Sequence, residues 1–265
     1  MCIRDSTDYV ANKSEQSIVD NTSFIFLRGT HYLDISLSVV NVSNVSFFGV
    51  DAGLPREGDA VRVLFSSLVN ITWTGCDDVE VRGLTFVLSG RSEEEFSALV
   101  FERTNGILSN LTLLGNNSTS RGLFLSDSSY IEFSDVCVSG ATSSRGPALY
   151  GINSTVDFRG QNSFVNNTAT YEGGAIALHN CTSTFLGSNS FQNNTATCGG
   201  ALFIFGGSHS ISGYTSFINN FATLKGGAVS VEGGRYNVSR NILFCLLYTS
   251  PSPRDATLSR MPSSA

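Results

Sequence analysis

The sequence predicts an all-β chain wound as a parallel β-helix, a solenoid of about seven coils. A motif with Phe, paired Asn and Gly-Gly-Ala returns three times, starting at Phe164, Phe191 and Phe217. Fainter copies precede it at a similar step, and short β-branched runs bounded by turn residues recur with it. A fixed repeat of this length is typical of solenoids, whose coils bury apolar faces only against their neighbours. The step leaves no room for the helices that usually connect parallel strands.

Each Gly-Gly corner precedes a short strand, and alternate residues of these strands form two columns. The columns are Ile176, Leu202 and Val229, and then Leu178, Ile204 and Val231. Because residues i and i+2 of a strand face the same side, we expect both columns to lie one coil above another in the core. The intervening residues Ala177, Phe203 and Ser230 are then expected to point outward.

Gly or Asn recurs at one turn position of each coil. The members are Gly90, Gly115, Gly140, Asn166, Asn193 and Asn219. Gly and Asn are the residues that most readily adopt positive φ, so we predict a left-handed backbone at this structural corner. We also expect the amides of Asn166, Asn193 and Asn219 to stack in a hydrogen-bonded ladder.

The two ends of the chain read as translated sequencing adapter. Residues 1–6, Met-Cys-Ile-Arg-Asp-Ser, match the transposase end sequence, and residues 245–265 match the reverse complement with its usual extension. We therefore assign 7–244 to a β-helix fragment, with strands from about residue 20 to 244, and expect 1–6 and 245–265 to add no packed structure. The apolar run 245–248 is the one segment expected to be able to extend the final strand.

Composition restricts the partners. The chain has 16 basic and 22 acidic residues and a net charge of −6, which argues against nucleic acid and against an anionic membrane surface. No stretch of 7–244 is long and apolar enough to cross a bilayer, so we expect no membrane contact within the fragment.

Sequons for N-glycosylation are dense. Asn-x-Ser/Thr occurs at 13 of the 21 asparagines. Since Asn is depleted in strands, polar-out patterning of strands should use Ser or Thr at these positions, and we interpret the density as that of a secreted, glycosylated eukaryotic chain. The candidate glycosylation sites are Asn41, Asn44, Asn70, Asn110, Asn153, Asn180 and Asn237. In particular, Asn70 and Asn110 should face solvent while Ile71 and Leu111 point inward.

Four cysteines lie between the predicted adapter ends: Cys76, Cys137, Cys181 and Cys198. In a secretory compartment they would pair in one of three ways, and we favour Cys181 with Cys198, which fall in successive coils. Their spacing is not that of a zinc site, and the chain has three histidines. We predict neither a metal nor a cofactor.

The three repeats resemble the paired signature of the chlamydial polymorphic membrane proteins, Phe-x-x-Asn followed by Gly-Gly-Ala-Ile/Leu/Val. The signature reads Phe164 to Asn167 with Gly173 to Ile176, and it returns twice before about residue 231. The resemblance implies a right-handed single-stranded parallel β-helix of the pectin-lyase-like kind, displayed on a surface and used in adhesion. The repeats are also similar to those of large extracellular proteins of simple animals and protists, which the sequon density favours.

Two features carry candidate chemistry. Glu132 and Asp157 fall in one outward column, where paired carboxylates bind a cation or divide acid and base roles, although a solvated acidic face is the favoured interpretation. Phe203 and Phe205 flank Ile204 and are candidates for an aromatic platform, of which we expect one ring to be covered.

We therefore predict an extracellular or cell-surface recognition and adhesion module without catalysis, whose partner is an extracellular protein or a glycan. The alternative is a β-helix carbohydrate-active enzyme, either a polysaccharide lyase or a glycosidase. An enzyme should show several polar or charged groups converging in a groove along one strand face, whereas an adhesion module should show a long, shallow surface.

Overall fold

The computed structural model describes residues 2–3, 18–50, 61–66, 68–88, 96–116, 119–238, 242–245 and 248–249. These residues form thirty strands, numbered β1 to β30 along the chain, in three sheets whose strand pairs are all parallel. No helix occurs among them, and so none is available to span a membrane. The all-β solenoid of about seven turns that the sequence predicts is confirmed.

Sheet A takes two strands from most coils. Its seventeen strands are β1 (Cys2–Ile3), β2 (Ser23–Leu27), β3 (Gly29–Leu33), β5 (Ser43–Val50), β6 (Val61–Phe65), β8 (Asp77–Arg82), β9 (Thr85–Val87), β11 (Asn105–Leu114), β13 (Tyr130–Ser139), β16 (Thr155–Arg159), β17 (Gln161–Val165), β20 (Thr182–Phe185), β21 (Ser188–Gln192), β24 (Ser208–Ile211), β25 (Tyr214–Ile218), β28 (Arg235–Val238) and β29 (Ile242–Cys245).

Sheet B takes one strand from each coil and sheet C takes one from the later coils. Sheet B consists of β4 (Leu37–Val40), β7 (Ile71–Thr74), β10 (Ser97–Glu102), β12 (Arg121–Ser126), β15 (Leu149–Ile152), β19 (Ile176–His179), β23 (Leu202–Phe205) and β27 (Val229–Glu232). Sheet C consists of β14 (Thr142–Arg145), β18 (Thr168–Glu172), β22 (Thr195–Cys198), β26 (Phe221–Lys225) and β30 (Tyr248–Thr249). From β13 onward each coil runs from A through C to B, and the Gly-Gly-Ala motif forms the corner between C and B.

The two predicted core columns lie on sheet B in the expected register. Ile176 pairs with Leu202 and Leu202 with Val229, while Leu178, Ile204 and Val231 pair in the same way. The first two members of each column are buried, whereas Val231 is 45 % exposed because it lies in the last strand of the sheet. The columns continue upstream, since Leu149 pairs with both Leu123 and Ile176.

Ala177, Phe203 and Ser230 lie in one outward column of sheet B, as predicted. All three are buried, although they alternate with the core columns. The ring of His179 lies 5.6 Å from that of Phe203, so neighbouring coils pack a second layer of side chains on the outer face of sheet B. Strand alternation determines which face of the sheet a residue occupies, but the neighbouring side chains determine whether that residue is exposed to solvent.

Stacked aromatic rings fill the core beneath sheet A. Phe164, Phe191 and Phe217, the first residues of the three motifs, stack with ring centroids 4.9 Å apart at both steps. A second stack joins Phe158 to Phe185 at 4.4 Å. Since successive strands in a sheet are about 4.8 Å apart, one Phe per coil places its ring in contact with the next. The motif Phe is therefore a packing residue.

The predicted structural corner forms, with one exception in backbone conformation. Gly140, Asn166, Asn193 and Asn219 have φ between 53° and 69°, and the strand register aligns them. Gly115 lies in the same column, but the positive φ of its coil belongs to the next residue, Asn116. A side chain at Gly115 would meet the carbonyl oxygen of Gly140, so this glycine is needed for close approach. Gly90 lies outside the described residues.

The hydrogen-bonded ladder consists of the second asparagine of each pair, so the prediction of Asn166, Asn193 and Asn219 is wrong. Those three side chains are exposed, while Asn167, Asn194 and Asn220 are fully buried. The amide of Asn167 donates to Asn194 at 3.1 Å, and that of Asn194 donates to Asn220 at 3.0 Å. In each adjacent pair the first Asn therefore forms the exposed corner and the second forms the buried ladder, because a left-handed residue turns the chain so that the two side chains face opposite ways.

The ends carry short strands. Cys2–Ile3 pairs with β2, so the expectation that residues 1–6 add no structure is wrong for those two positions. Cys245 ends β29, and Tyr248–Thr249 pairs with β26, which agrees with the expectation for the apolar run 245–248. Residues 251–265 and the rest of 1–6 lie outside the described residues.

Candidate functional site: a groove on the outer face of sheet B

An open groove of about 410 Å³ lies on the outer face of sheet B. Four consecutive strands, β7, β10, β12 and β15, supply the side chains at its centre: Thr72, Val100, Glu102, Arg121, Phe124 and Tyr150. The register aligns Thr72 with Val100, Val100 with Phe124, and Phe124 with Tyr150, so these four form one outward column. Residues far apart in the sequence therefore meet on one face because each coil adds one residue to it.

Arg121 is a nearly fully buried cation in the wall of this groove. Its Nε donates to the Arg145 carbonyl oxygen at 3.1 Å, and its Nη1 donates to the Ser97 hydroxyl at 3.2 Å. Its guanidinium carbon lies 4.7 Å from the centroid of the Tyr150 ring, which is a cation–π distance. These contacts fix the guanidinium and the Tyr150 ring relative to each other.

A charged cluster joins sheet C to sheet B beside the groove. The Glu172 carboxylate accepts hydrogen bonds from Arg145 Nε at 2.9 Å and from His179 Nε2 at 3.0 Å. Because a carboxylate only accepts, His179 Nε2 carries a proton. The cluster therefore holds the His179 ring, which lies 5.4 Å from that of Tyr150, as a continuation of the groove wall.

The Glu132 and Asp157 column forms as predicted, but on sheet A, away from the groove. Arg159 Nε lies 2.9 Å from Glu132, and Arg159 Nη2 lies 3.5 Å from Asp157. The Tyr130 hydroxyl donates to Asp157, and burial together with this carboxylate raises the pKa of Tyr130. The two carboxylates are therefore joined to a shared guanidinium, and within the described residues no group of three acidic, His or Cys side chains has the arrangement of a metal site.

The candidate glycosylation sites lie on the surface. Asn41, Asn44, Asn110, Asn153, Asn180 and Asn237 are exposed, and Asn70 is partly buried. Ile71 and Leu111 are buried, as the alternation of strands requires. Whether any of these asparagines carries a glycan stays a prediction.

Most sequons have a structural cause that the sequence argument did not consider. Nine of the eleven sequon asparagines in the described residues have positive φ: Asn21, Asn41, Asn44, Asn110, Asn116, Asn153, Asn166, Asn180 and Asn193. They have the left-handed backbone that Asn favours, either at corners or, for Asn44 and Asn110, at a left-handed residue within a strand, and not the extended backbone in which Asn is depleted. A corner Asn followed by a strand with Ser or Thr produces a sequon without any requirement for a glycan.

The proposed Cys181–Cys198 disulfide is wrong. Both residues are free thiols, and burial raises the pKa of each. Cys198 ends β22 before the Gly-Gly corner, whereas Cys181 aligns with Gly207, beyond the end of β23. The four residues of β23 separate the two columns by roughly 13 Å, which exceeds the reach of a disulfide of about 7 Å between Cα atoms.

Sequence reasoning found Phe203 and Phe205, which lie on the same sheet face beyond the groove, but missed the residues that line the groove. Phe203 is buried and Phe205 is 46 % exposed, as expected for a platform with one covered ring. Phe124, Tyr150, Glu102 and Arg121 lie in coils upstream of the clear repeats, where no motif marks the outward column. Only the alignment of strands in successive coils could have identified these residues, because they share no local motif.

Comparison with known families supports the repeat assignment. The family model described as the Chlamydia polymorphic membrane protein (Chlamydia_PMP) repeat matches residues 163–178 and 214–232. These segments contain the first and third motifs, so the resemblance predicted from them is confirmed. None of the curated proteins compared with the chain is a significant match.

A solved structure also aligns with the chain. It is the pectin methylesterase of Aspergillus niger in a deglycosylated form, with a TM-score of 0.45 and 13 % sequence identity. The alignment covers 88 % of this chain and 80 % of the esterase chain.

Proposed function

We propose that this chain is an extracellular or cell-surface recognition module that holds its partner in the groove on sheet B without catalysing a reaction. The observation that carries the proposal is the convergence of Arg121, Phe124 and Tyr150 in one open groove. Aromatic rings and a fixed guanidinium in a concave site are characteristic of ligand recognition. The match to the repeat of the polymorphic membrane protein family supports a location at the surface.

The charged groups of the groove favour binding over hydrolysis. Canonical glycosidases need two carboxylates on either side of the scissile bond, one of them able to donate a proton. Among the described residues that line the groove, Glu102 is the one carboxylate. Glu132 and Asp157 are paired with Arg159 on another sheet.

Binding of the purified, fluorescently labelled chain to cultured animal cells and to immobilised extracellular-matrix proteins and glycans tests this proposal. We expect saturable binding that Tyr150→Ala weakens at least about tenfold, which corresponds to about 1.4 kcal/mol. The matched control is Thr184→Ala, an outward residue on sheet A that should bind like the parent chain.

Two results would contradict the proposal. Equal loss of binding in both variants would show that the groove is not the contact surface. Turnover of an acidic or neutral polysaccharide by the parent chain, abolished by Glu102→Gln, would instead establish the enzyme alternative.

A further inference from the structure

A continuous band of rings runs along the solenoid axis from the groove. It consists of four rings that are at least partly exposed, Phe124 on β12, Tyr150 on β15, His179 on β19 and Phe205 on β23, and of the buried ring of Phe203 on β23, which packs against His179. Phe124 and Tyr150 have ring centroids 5.8 Å apart, and Tyr150 and His179 are 5.4 Å apart. His179 then lies 5.6 Å from Phe203 and 5.8 Å from Phe205. We call this set the aromatic band.

The band and the groove together form a linear surface with one position per coil. Sheet B strands β7, β10, β12, β15, β19 and β23 follow one another in register. These are five steps, or roughly 24 Å at about 4.8 Å per step. The groove lies at one end, and Phe205, with 46 % of its surface exposed, lies at the other.

Polar groups held in fixed positions flank the rings. Glu172 is bound between Arg145 and His179, and Arg121 is bound to Ser97 beside Tyr150. A pyranose presents an apolar C–H face to an aromatic ring and hydroxyl groups at its edge. Hydroxyl groups hydrogen-bond well to carboxylates and guanidiniums that are already oriented, because little side-chain entropy is lost.

The charges select among glycans. Glu102 and Glu172 accompany Arg121 and Arg145 along this surface, so the two signs balance. The whole chain carries −6, which repels a polyanion at a distance. A ligand without charge fits this surface better than an acidic polysaccharide does.

We propose that the aromatic band and the groove bind a neutral, linear, β-linked glycan that lies parallel to the solenoid axis. A pyranose unit in such a chain advances by about the same distance as one coil, so successive sugars meet equivalent positions on successive coils. The ligand spans four to five sugars. This inference rests on the proposed function, because it names the ligand of the same groove.

Titration of the whole chain with cello-oligosaccharides and chito-oligosaccharides of two to six units, followed by calorimetry, tests the proposal. We expect affinity for at least one series to rise at least about tenfold from the dimer to the pentamer and then to level off. Phe205→Ala should remove that gain, whereas Tyr150→Ala should weaken binding of every length. Tyr214→Ala, an exposed ring on sheet A, is the control.

The outcomes separate this inference from the proposed function. Affinity that does not depend on length, a preference for oligogalacturonate, or a Phe205→Ala variant equal to the control would overturn the inference. Failure of both neutral series to bind, while a matrix protein still binds in a manner sensitive to Tyr150→Ala, would also overturn it and would leave the recognition function standing.

Discussion

At the scale of the residue, backbone conformation explains much of the composition. One left-handed column runs along the whole molecule at the corner that follows sheet B: Asn41, Gly75, Arg103, Asp127, Asn153, Asn180, Gly206 and Gly233. Six of its eight members are Asn or Gly, the residues that occupy this region at least cost. The need for positive φ, repeated in every coil, therefore accounts for part of the abundance of both residues.

Arg103 is the poorly suited member of this column, with φ of 49°. We expect Arg103→Asn to raise the free energy of unfolding by about 0.5–1 kcal/mol, because Asn tolerates the left-handed region better. The lost ion pair with Asp127 is 3.7 Å long and mostly exposed, so it contributes little. Urea unfolding measures the change. The reciprocal variant Asn180→Arg should destabilise the chain, and a gain in both variants would contradict the argument.

His209 makes stability depend on pH. Burial lowers the pKa of His209, although the Gly206 carbonyl that accepts from Nε2 partly offsets this, and Nδ1 accepts from the Ser183 hydroxyl. Because the folded pKa lies below the unfolded value of about 6.5, the unfolded chain binds more protons at acidic pH. The contribution of His209 is therefore present above about pH 6.5 and is lost as pH falls below it.

Denaturant midpoints of the parent chain and of His209→Gln between pH 7.5 and 5 check this dependence. The parent should lose more stability on acidification than the variant does, since Gln does not titrate. Parallel curves for the two proteins would show that His209 is not responsible.

At the scale of the element, the paired asparagines of each motif perform two separate tasks. The first forms the exposed corner and the second forms the buried ladder. Asn194 makes four side-chain hydrogen bonds, two from Asn167, one to the Phe164 carbonyl and one to Asn220. Its removal leaves buried donors and acceptors in the adjacent coils without partners.

We expect Asn194→Ala to lower the free energy of unfolding by about 3 kcal/mol, since unsatisfied buried groups cost about 1–3 kcal/mol each. Asn193→Gly is the matched control, because glycine suits its φ of 53° and its side chain is exposed. The control should differ from the parent by less than about 0.5 kcal/mol. A larger loss in Asn193→Gly than in Asn194→Ala would restore the original assignment of the ladder.

At the scale of the whole molecule, stability is the sum of coils and of the contacts between adjacent coils. Interior coils are covered on both sides, whereas the last one exposes residues of the core columns: Val231, Val238 and Phe244 are 45 %, 56 % and 53 % exposed. Phe217, which pairs with Phe244 from one coil earlier, is 0 % exposed. The solenoid is therefore weakest at its ends.

We expect hydrogen exchange to be slowest in β15 to β22 and fastest in β2 to β4 and β27 to β29, because the end coils open without disrupting the centre. Exchange followed by mass spectrometry resolves these segments. Phe191→Ala should lower protection mainly in the coils that contact it, where its ring stacks on Phe164 and Phe217. Equal protection from β2 to β29 would show a single cooperative unit instead.

The comparison of prediction with structure differs between the two halves of the chain. The register of Ile176, Leu202 and Val229 could be predicted because each coil repeats a motif of nearly constant length. Upstream, the alignment of Glu132 with Asp157 and of Gly115 with Gly140 was also predicted correctly. The backbone conformation was not, because the positive φ moves from Gly115 to Asn116. The sequence argument treated the sequons as strand positions because an Asn with a left-handed backbone and an Asn in an extended strand can have the same neighbours in the sequence.

The sequence by itself determined the architecture, since a chain with one Phe, one Asn pair and one Gly-Gly-Ala per coil can satisfy its backbone and bury its rings only by stacking. It also determined the inward columns, because alternation along a strand is a local property. The tertiary structure decided what the outer surface does. Arg121, Phe124, Tyr150, His179 and Phe205 come from four coils and meet only because strands stack in register. The repeat thus specifies how the coil closes, while the groove depends on outward residues that the repeat does not constrain.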